Sequence, residues 1–136
     1  MSAKTARATI AAYYAAFNAG QAAGMLDCVT DDVEHRVNEG GIRRGRDKFA
    51  EFCSHMGVSY REELKDIEIF VNEDGSRAAA EFVVHGEYLK TDPGLPEAKG
   101  QRYVLPAGSF FDLRDGQISR VTTFYNLNDW IAQVSI

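Results

Sequence analysis

Only two cysteines, Cys28 and Cys53, occur in 136 residues. They lack metal-ligand spacing and sit in apolar stretches, which reads as reduced, buried thiols of a cytoplasmic protein rather than a disulfide framework. No stretch approaches the roughly 18 apolar residues of a membrane span, and the basic residues near the N-terminus are not followed by the apolar segment of a secretory leader. Lys and Arg form no run and the net charge is −5, so the basic footprint of a nucleic-acid or anionic-membrane partner is missing. The three histidines, His35, His55 and His85, are widely separated, so no metal is expected. What is present is 45% hydrophobic and 11% aromatic content. A chain of this size buries roughly 65–70% of its unfolded surface, enough for one core and one domain over residues 1–136 without staples.

Ile10, Tyr13, Tyr14 and Phe17 fall at i, i+3, i+4 and i+7 in an alanine-rich stretch that stops at Gly20, which predicts an amphipathic helix. A shorter helix is expected over Gln21 to Val29, then a strand over Val33 to Glu39 closed by Gly40-Gly41. Phe49, Phe52, Cys53 and Met56 repeat the helical stripe, with Asp47 in the first turn and Gly57 as terminator. Strands follow over Leu64 to Asn72 and Arg77 to Lys90, joined by the turn Glu73-Asp74-Gly75-Ser76, and over Gln101 to Leu113 and Gln117 to Tyr125, joined by Arg114-Asp115-Gly116. Residues 91–100 form a loop longer than most hairpin connections, and a short helix over Asn128 to Val134 ends the chain. Helices first and then a run of antiparallel strands describe an α+β domain with helices on one face of a curved sheet.

The run Tyr13-Tyr14-Ala15-Ala16-Phe17-Asn18-Ala19-Gly20, then Thr30-Asp31-Asp32, Gly45-Arg46-Asp47, Asp115-Gly116-Gln117-Ile118 and Phe124-Tyr125-Asn126-Leu127 resembles the SnoaL-like, ketosteroid-isomerase-like branch of the nuclear transport factor 2-like superfamily. The resemblance implies a cone: a strongly curved antiparallel sheet wrapped by N-terminal helices around a mostly apolar cavity, commonly in a homodimer. The superfamily includes isomerases, cyclases, hydrolases, dehydratases and noncatalytic carriers, so the fold alone does not give the reaction.

The isomerase pattern asks for a helix tyrosine, which Tyr13 matches, and for two acids, which here fall at Val37 or Asn38 and at Gly108. Without a base, isomerisation by that mechanism is not expected. The limonene-epoxide-hydrolase pattern places its Asp-Arg-Asp set at Phe82, Val84 and Thr123, none of them ionisable, and only its water-holding asparagine has a counterpart, at Asn38.

Residues two apart on a strand share a face. The matched positions then put Phe82, Val84 and Gly86, Val104, Pro106, Gly108 and Phe110, and Val121, Thr123 and Tyr125 on a wall facing Tyr13 and Phe17. Such a lining suits a compact hydrophobic or oxygenated molecule. The same side chains could instead fill the core. His35, sharing a face with Glu39, is the candidate proton carrier or one half of an edge-strand ion pair. Asn38 is an orienting amide or a turn residue, and Tyr13 a hydrogen-bond donor to a ligand oxygen or a core tyrosine. His55 is expected to pair with Glu51 one turn away, and His85 and Glu87 to point away from Val84. The expectation is a small-molecule cavity protein, as a cofactor-free isomerase, dehydratase or hydrolase or as a noncatalytic dimeric binding module.

Overall fold

The computed structural model describes residues 2–135. Helix α1 (Ala3–Asn18) is capped by the Ser2 hydroxyl, which accepts from the Thr5 amide at 3.1 Å, and buries Ala6, Ile10, Tyr13, Tyr14 and Ala16. Gly20, at φ +70°, turns the chain into α2 (Ala22–Leu26). Helix α3 (Arg46–Ser59) runs past Gly57, the expected stop, because the strand that follows takes over at Tyr60. Helix α4 (Leu127–Val134) is capped by Asn126, whose side chain accepts from the Asp129 amide.

The six strands are β1 (Val29–Val37), β2 (Arg43–Arg44), β3 (Tyr60–Val71), β4 (Arg77–Tyr88), β5 (Arg102–Arg114) and β6 (Gln117–Tyr125). They form one sheet in the order β2-β1-β6-β5-β4-β3. The long β3–β4 and β5–β6 hairpins and the β4–β5 pair are antiparallel, as read from their turns. β1 departs from that expectation: it pairs parallel with β6 and is flanked by β2, so it is not an edge strand. Helices α1 and α3 cover the concave face, where Ile10, Val29, Val33, Phe49, Phe111, Ile118 and Val121 are almost completely buried.

Two features of the sheet decide which side chains face inward. On β5 the buried residues are Tyr103, Leu105, Ser109, Phe111 and Leu113, of which the first four stand opposite the inward-facing Gly86, Val84, Ala80 and Ala78 of β4. On β3 the register shifts between Lys65 and Glu68, around Asp66 at φ +54°. This extra residue turns the alternation over, so Tyr60, Glu62 and Leu64 share the inner face with Ile67, Ile69 and Val71.

Candidate functional site

Glu62, Gly86 and Tyr103 lie side by side on β3, β4 and β5, all on the concave face. A Cβ on Gly86 would stand 2.2 Å from Cζ of Tyr103. Only glycine leaves room for the phenol ring to lie flat across the middle strand. The ring thereby reaches the next strand, where its hydroxyl donates to Glu62 Oε2 at 2.5 Å. Burial pushes the Glu62 carboxyl above the ordinary carboxylate range, against the opposing pull of the Tyr103 hydrogen bond. Tyr103 itself is raised strongly by burial and then by the neighbouring Glu62 charge.

A tyrosine-rich wall surrounds this pair. Tyr60 stacks on Tyr88 at 5.4 Å between ring centroids, and Trp130 of α4 packs edge-on against Tyr60, Tyr88 and Tyr103. The Tyr60 hydroxyl donates to Asp92 Oδ2 at 2.7 Å, and His55 Nε2 lies 3.1 Å from the same oxygen. His55 therefore pairs with Asp92 of the long loop, and Glu51, its expected partner, pairs with Lys48. Burial is the largest cause of the raised Tyr125 pKa, followed by the charges of Glu62 and Asp92, so both carboxylates act on one hydroxyl. Glu62, Ala107, Thr123 and Tyr125 keep partial exposure although they face inward. The helical layer is incomplete over this part of the concave face.

The residues singled out from the sequence separate into three groups. Phe82 and Val84 are buried on the concave face, and Phe17, Thr123 and Tyr125 lie partly buried beside them. Thr123 shares a 2.7 Å hydrogen bond with Ser109, the inward neighbour that the sequence reading passed over. Val104, Pro106 and Phe110 face the opposite way, with Val104 51% and Phe110 47% exposed. Counting from Pro106 is one residue out of step, and a slip of one exchanges the two faces of a strand. Gly108 is outward for the same reason, and the inward Ala107 and Ser109 carry no carboxylate either.

His35 and Tyr13 both pack on Phe49, whereas Asn38 lies at the end of β1 and bonds to β6. His35 is buried against Phe49 and Phe52, with ring centroids 4.9 and 4.4 Å away, and its Nδ1 has no hydrogen-bond partner among the described residues. Burial, aided by the charge of Arg43, lowers its pKa to about 4, so the imidazole is neutral at pH 7. No ion pair with Glu39 occurs among the described residues. Tyr13 stacks on the same Phe49 from α1, at 6.4 Å, and burial raises its hydroxyl well above the ordinary value. Asn38 takes a left-handed conformation, φ +53°, at the end of β1. Its amide donates to the Thr123 carbonyl at 2.7 Å, and its side-chain oxygen accepts from the Tyr125 amide at 2.9 Å. It is thus a clip that prolongs the β1–β6 pairing, which places Tyr125.

Glu62, Tyr103, Tyr60 and Asp92 were not legible as a site. The charged run Arg61-Glu62-Glu63 reads as a solvated strand until the shift at Asp66 is known. The one usable signal was Gly86 in the middle of a strand, which marks a close approach. Among the described residues, no group of three or more His, Cys, Asp and Glu side chains is gathered to hold a metal. No helix among them is long and apolar enough to cross a membrane.

The family model of the SnoaL-like domain matches residues 10–121. The chain belongs to the SnoaL-like family. A provisionally named polyketide cyclase from Silicibacter sp. TM1040 is 60% identical, with a TM-score of 0.96 over 100% of this chain and 99% of the other. Another from Xanthomonas campestris pv. campestris is 53% identical, with a TM-score of 0.94 over 97% and 98% of the two chains. A nuclear transport factor 2-like protein from Burkholderia xenovorans LB400, 14% identical, superposes with a TM-score of 0.78 over 98% of each chain and shares the fold. No curated protein matches the sequence. The SnoaL-like fold, with its curved sheet and covering helices, is the one expected from the ordered motifs of the sequence.

Proposed function

We propose that this SnoaL-like chain is a cofactor-free acid/base enzyme that acts on a compact, mostly apolar, oxygenated molecule, with Glu62 as the proton carrier. The observation that carries the reading is a partly buried carboxyl group on the concave face, hydrogen-bonded to Tyr103 and held above its ordinary pKa by burial. A general base works best when its pKa approaches the working pH, and burial moves Glu62 in that direction. In its ionised form Glu62 takes a proton from a carbon next to a carbonyl. Tyr125 donates a hydrogen bond to the oxygen that gains charge, and the protonated Glu62 returns the proton at a second position. Isomerisation, dehydration and ring closure all begin this way, and the polyketide-cyclase names of the two similar proteins are in keeping with the last.

The test uses 2-tetralone in D2O, with loss of its C1 proton signal followed by NMR. The native protein should accelerate exchange, and Glu62→Gln should lower the acceleration roughly 100-fold or more while leaving the fold intact by circular dichroism. Exchange undiminished in that variant overturns the assignment.

A second reading, a noncatalytic homodimeric ligand-binding or interaction module, draws on the convex face. There a groove of about 540 Å3 is lined by Ile42, Phe110 and Phe124 together with Glu34, Arg36 and Asp112. Phe110 and Phe124 pack edge to face in the open, and charges of both signs suit pairing with an identical copy. Sedimentation should give a dimer that Phe110→Asp dissociates. A dimer without any proton exchange would favour this reading over the first.

A further inference from the structure

The pairing of His55 with Asp92 is not used in the reaction above, yet it connects to it. Asp92 is held firmly by its loop: its amide donates to the Tyr88 hydroxyl at 2.9 Å, and that hydroxyl donates to the Pro96 carbonyl at 2.6 Å. Its Oδ2 receives the Tyr60 hydroxyl from inside and faces His55 Nε2 from outside. Exposure rises along this line, from the partly buried Tyr60 to an Asp92 side chain 22% exposed and a His55 side chain 45% exposed. At the inner end, Tyr60 and Glu62 share the inner face of β3, and the Tyr60 and Tyr103 rings both pack edge-on against Trp130, with centroids 6.1 and 5.9 Å away. Glu62 is only partly exposed, so few waters reach its carboxyl, and a hydrogen-bonded chain leading outward gives its proton a defined path.

We infer that Tyr60, Asp92 and His55 form the proton route between the Glu62 carboxyl and solvent, with one bridging water between Tyr103 and Tyr60. The inference rests on Glu62 being the proton carrier of the site. When Glu62 is protonated, it gives its proton to the Tyr103 oxygen as Tyr103 passes its own proton through the water to Tyr60. Tyr60 in turn gives its proton to Asp92, and Asp92 gives it to the unprotonated Nε2 of His55. Each hydroxyl ends as it began, one proton has moved from Glu62 to the imidazole, and the imidazolium releases it to water. His55 and Asp92 are positioning and relay residues that touch no substrate.

The experiment needs no substrate, so its outcome is separate from that of the Glu62→Gln exchange assay. The exchange of the Tyr60 and Tyr103 hydroxyl protons with water is measured by NMR saturation transfer in the native protein, His55→Gln and Asp92→Asn. The route predicts exchange about fivefold or more slower in His55→Gln, restored by added imidazole as a mobile proton acceptor. Asp92→Asn should be slow and unresponsive to imidazole, since an amide cannot pass the proton on. Native exchange rates in His55→Gln, or slowing that imidazole does not relieve, overturn the route.

Discussion

Replacing Gly86 with alanine puts the architecture of the site to a direct test. The new methyl carbon would lie 2.2, 2.4 and 2.5 Å from Cζ, Cε2 and Oη of Tyr103, far inside contact distance, and the atoms it meets belong to a rigid ring rather than a flexible tip. The ring must leave the strand surface, and its hydroxyl must leave Glu62. Losing a hydrogen bond to a charged group costs about 1.5–3 kcal/mol, and forcing a methyl into a filled space costs about 1–3 kcal/mol. The expected loss is about 3–5 kcal/mol, or a fall in Tm on the order of 10–20 °C for a chain of this length.

Urea unfolding of Gly86→Ala, Tyr103→Ala and the double variant forms the measurement. With the ring gone, alanine at 86 should cost less than about 1 kcal/mol, because a strand interior prefers alanine to glycine. An equal cost in both backgrounds would mean that the Tyr103 ring is not what fills the space beside Gly86. Tyr103→Phe, which deletes only the hydroxyl, adds a check on sign. Tyr103 holds the Glu62 pKa down, so its loss raises that pKa further. The folded state then penalises the ionised carboxylate more, and the destabilisation should be larger at pH 8 than at pH 4.

Three other outcomes follow from the same physics. Glu62→Gln should be more stable than the native protein at pH 8 and equal to it at pH 4 by urea unfolding, because a buried carboxyl of raised pKa loses stability as pH rises through its folded value. His35 behaves in the opposite way. With its pKa lowered from 6.5 to about 4, the folded state should lose roughly 3 kcal/mol relative to the unfolded chain between pH 7 and pH 4, and His35→Leu should abolish that slope. The thiol of Cys53, pushed up to about 11 by burial, should react with iodoacetamide at pH 8 about a hundredfold more slowly than a short peptide thiol; labelling at the peptide rate, read by mass spectrometry, would contradict its burial.

Hydrophobic spacing and turn residues carried the order of the helices and long strands without help from the tertiary structure, but not the two-residue β2 or the start of β1 at Val29, where a helix end was expected. The α1 stripe and the Glu73–Ser76 and Asp115–Gly116 turns depend on near neighbours in sequence, where pattern and conformation are coupled, whereas the inward parity of Phe82, Val84, Thr123 and Tyr125 follows from the positions matched to the family. So does the outward direction of His85, opposite to the buried Val84. The family motifs add the layer arrangement because they sit at the joints between those elements.

The site depended on longer-range facts. The shift at Asp66 changes which half of β3 faces inward, and with it the standing of Glu62. The parity of β5 is set by its pairing with β4, which exchanges Val104, Pro106 and Phe110 for Tyr103, Leu105 and Ser109. Asp92 acquires its role only when a loop closes onto His55 and Tyr60, side chains 37 and 32 residues away. Alternation along a strand has a period of two and no memory of an absolute origin, so a single extra residue or a slip of one reverses every assignment beyond it. Only pairing across the sheet supplies that origin, and so only the folded sheet brings Glu62, Gly86 and Tyr103 into one row.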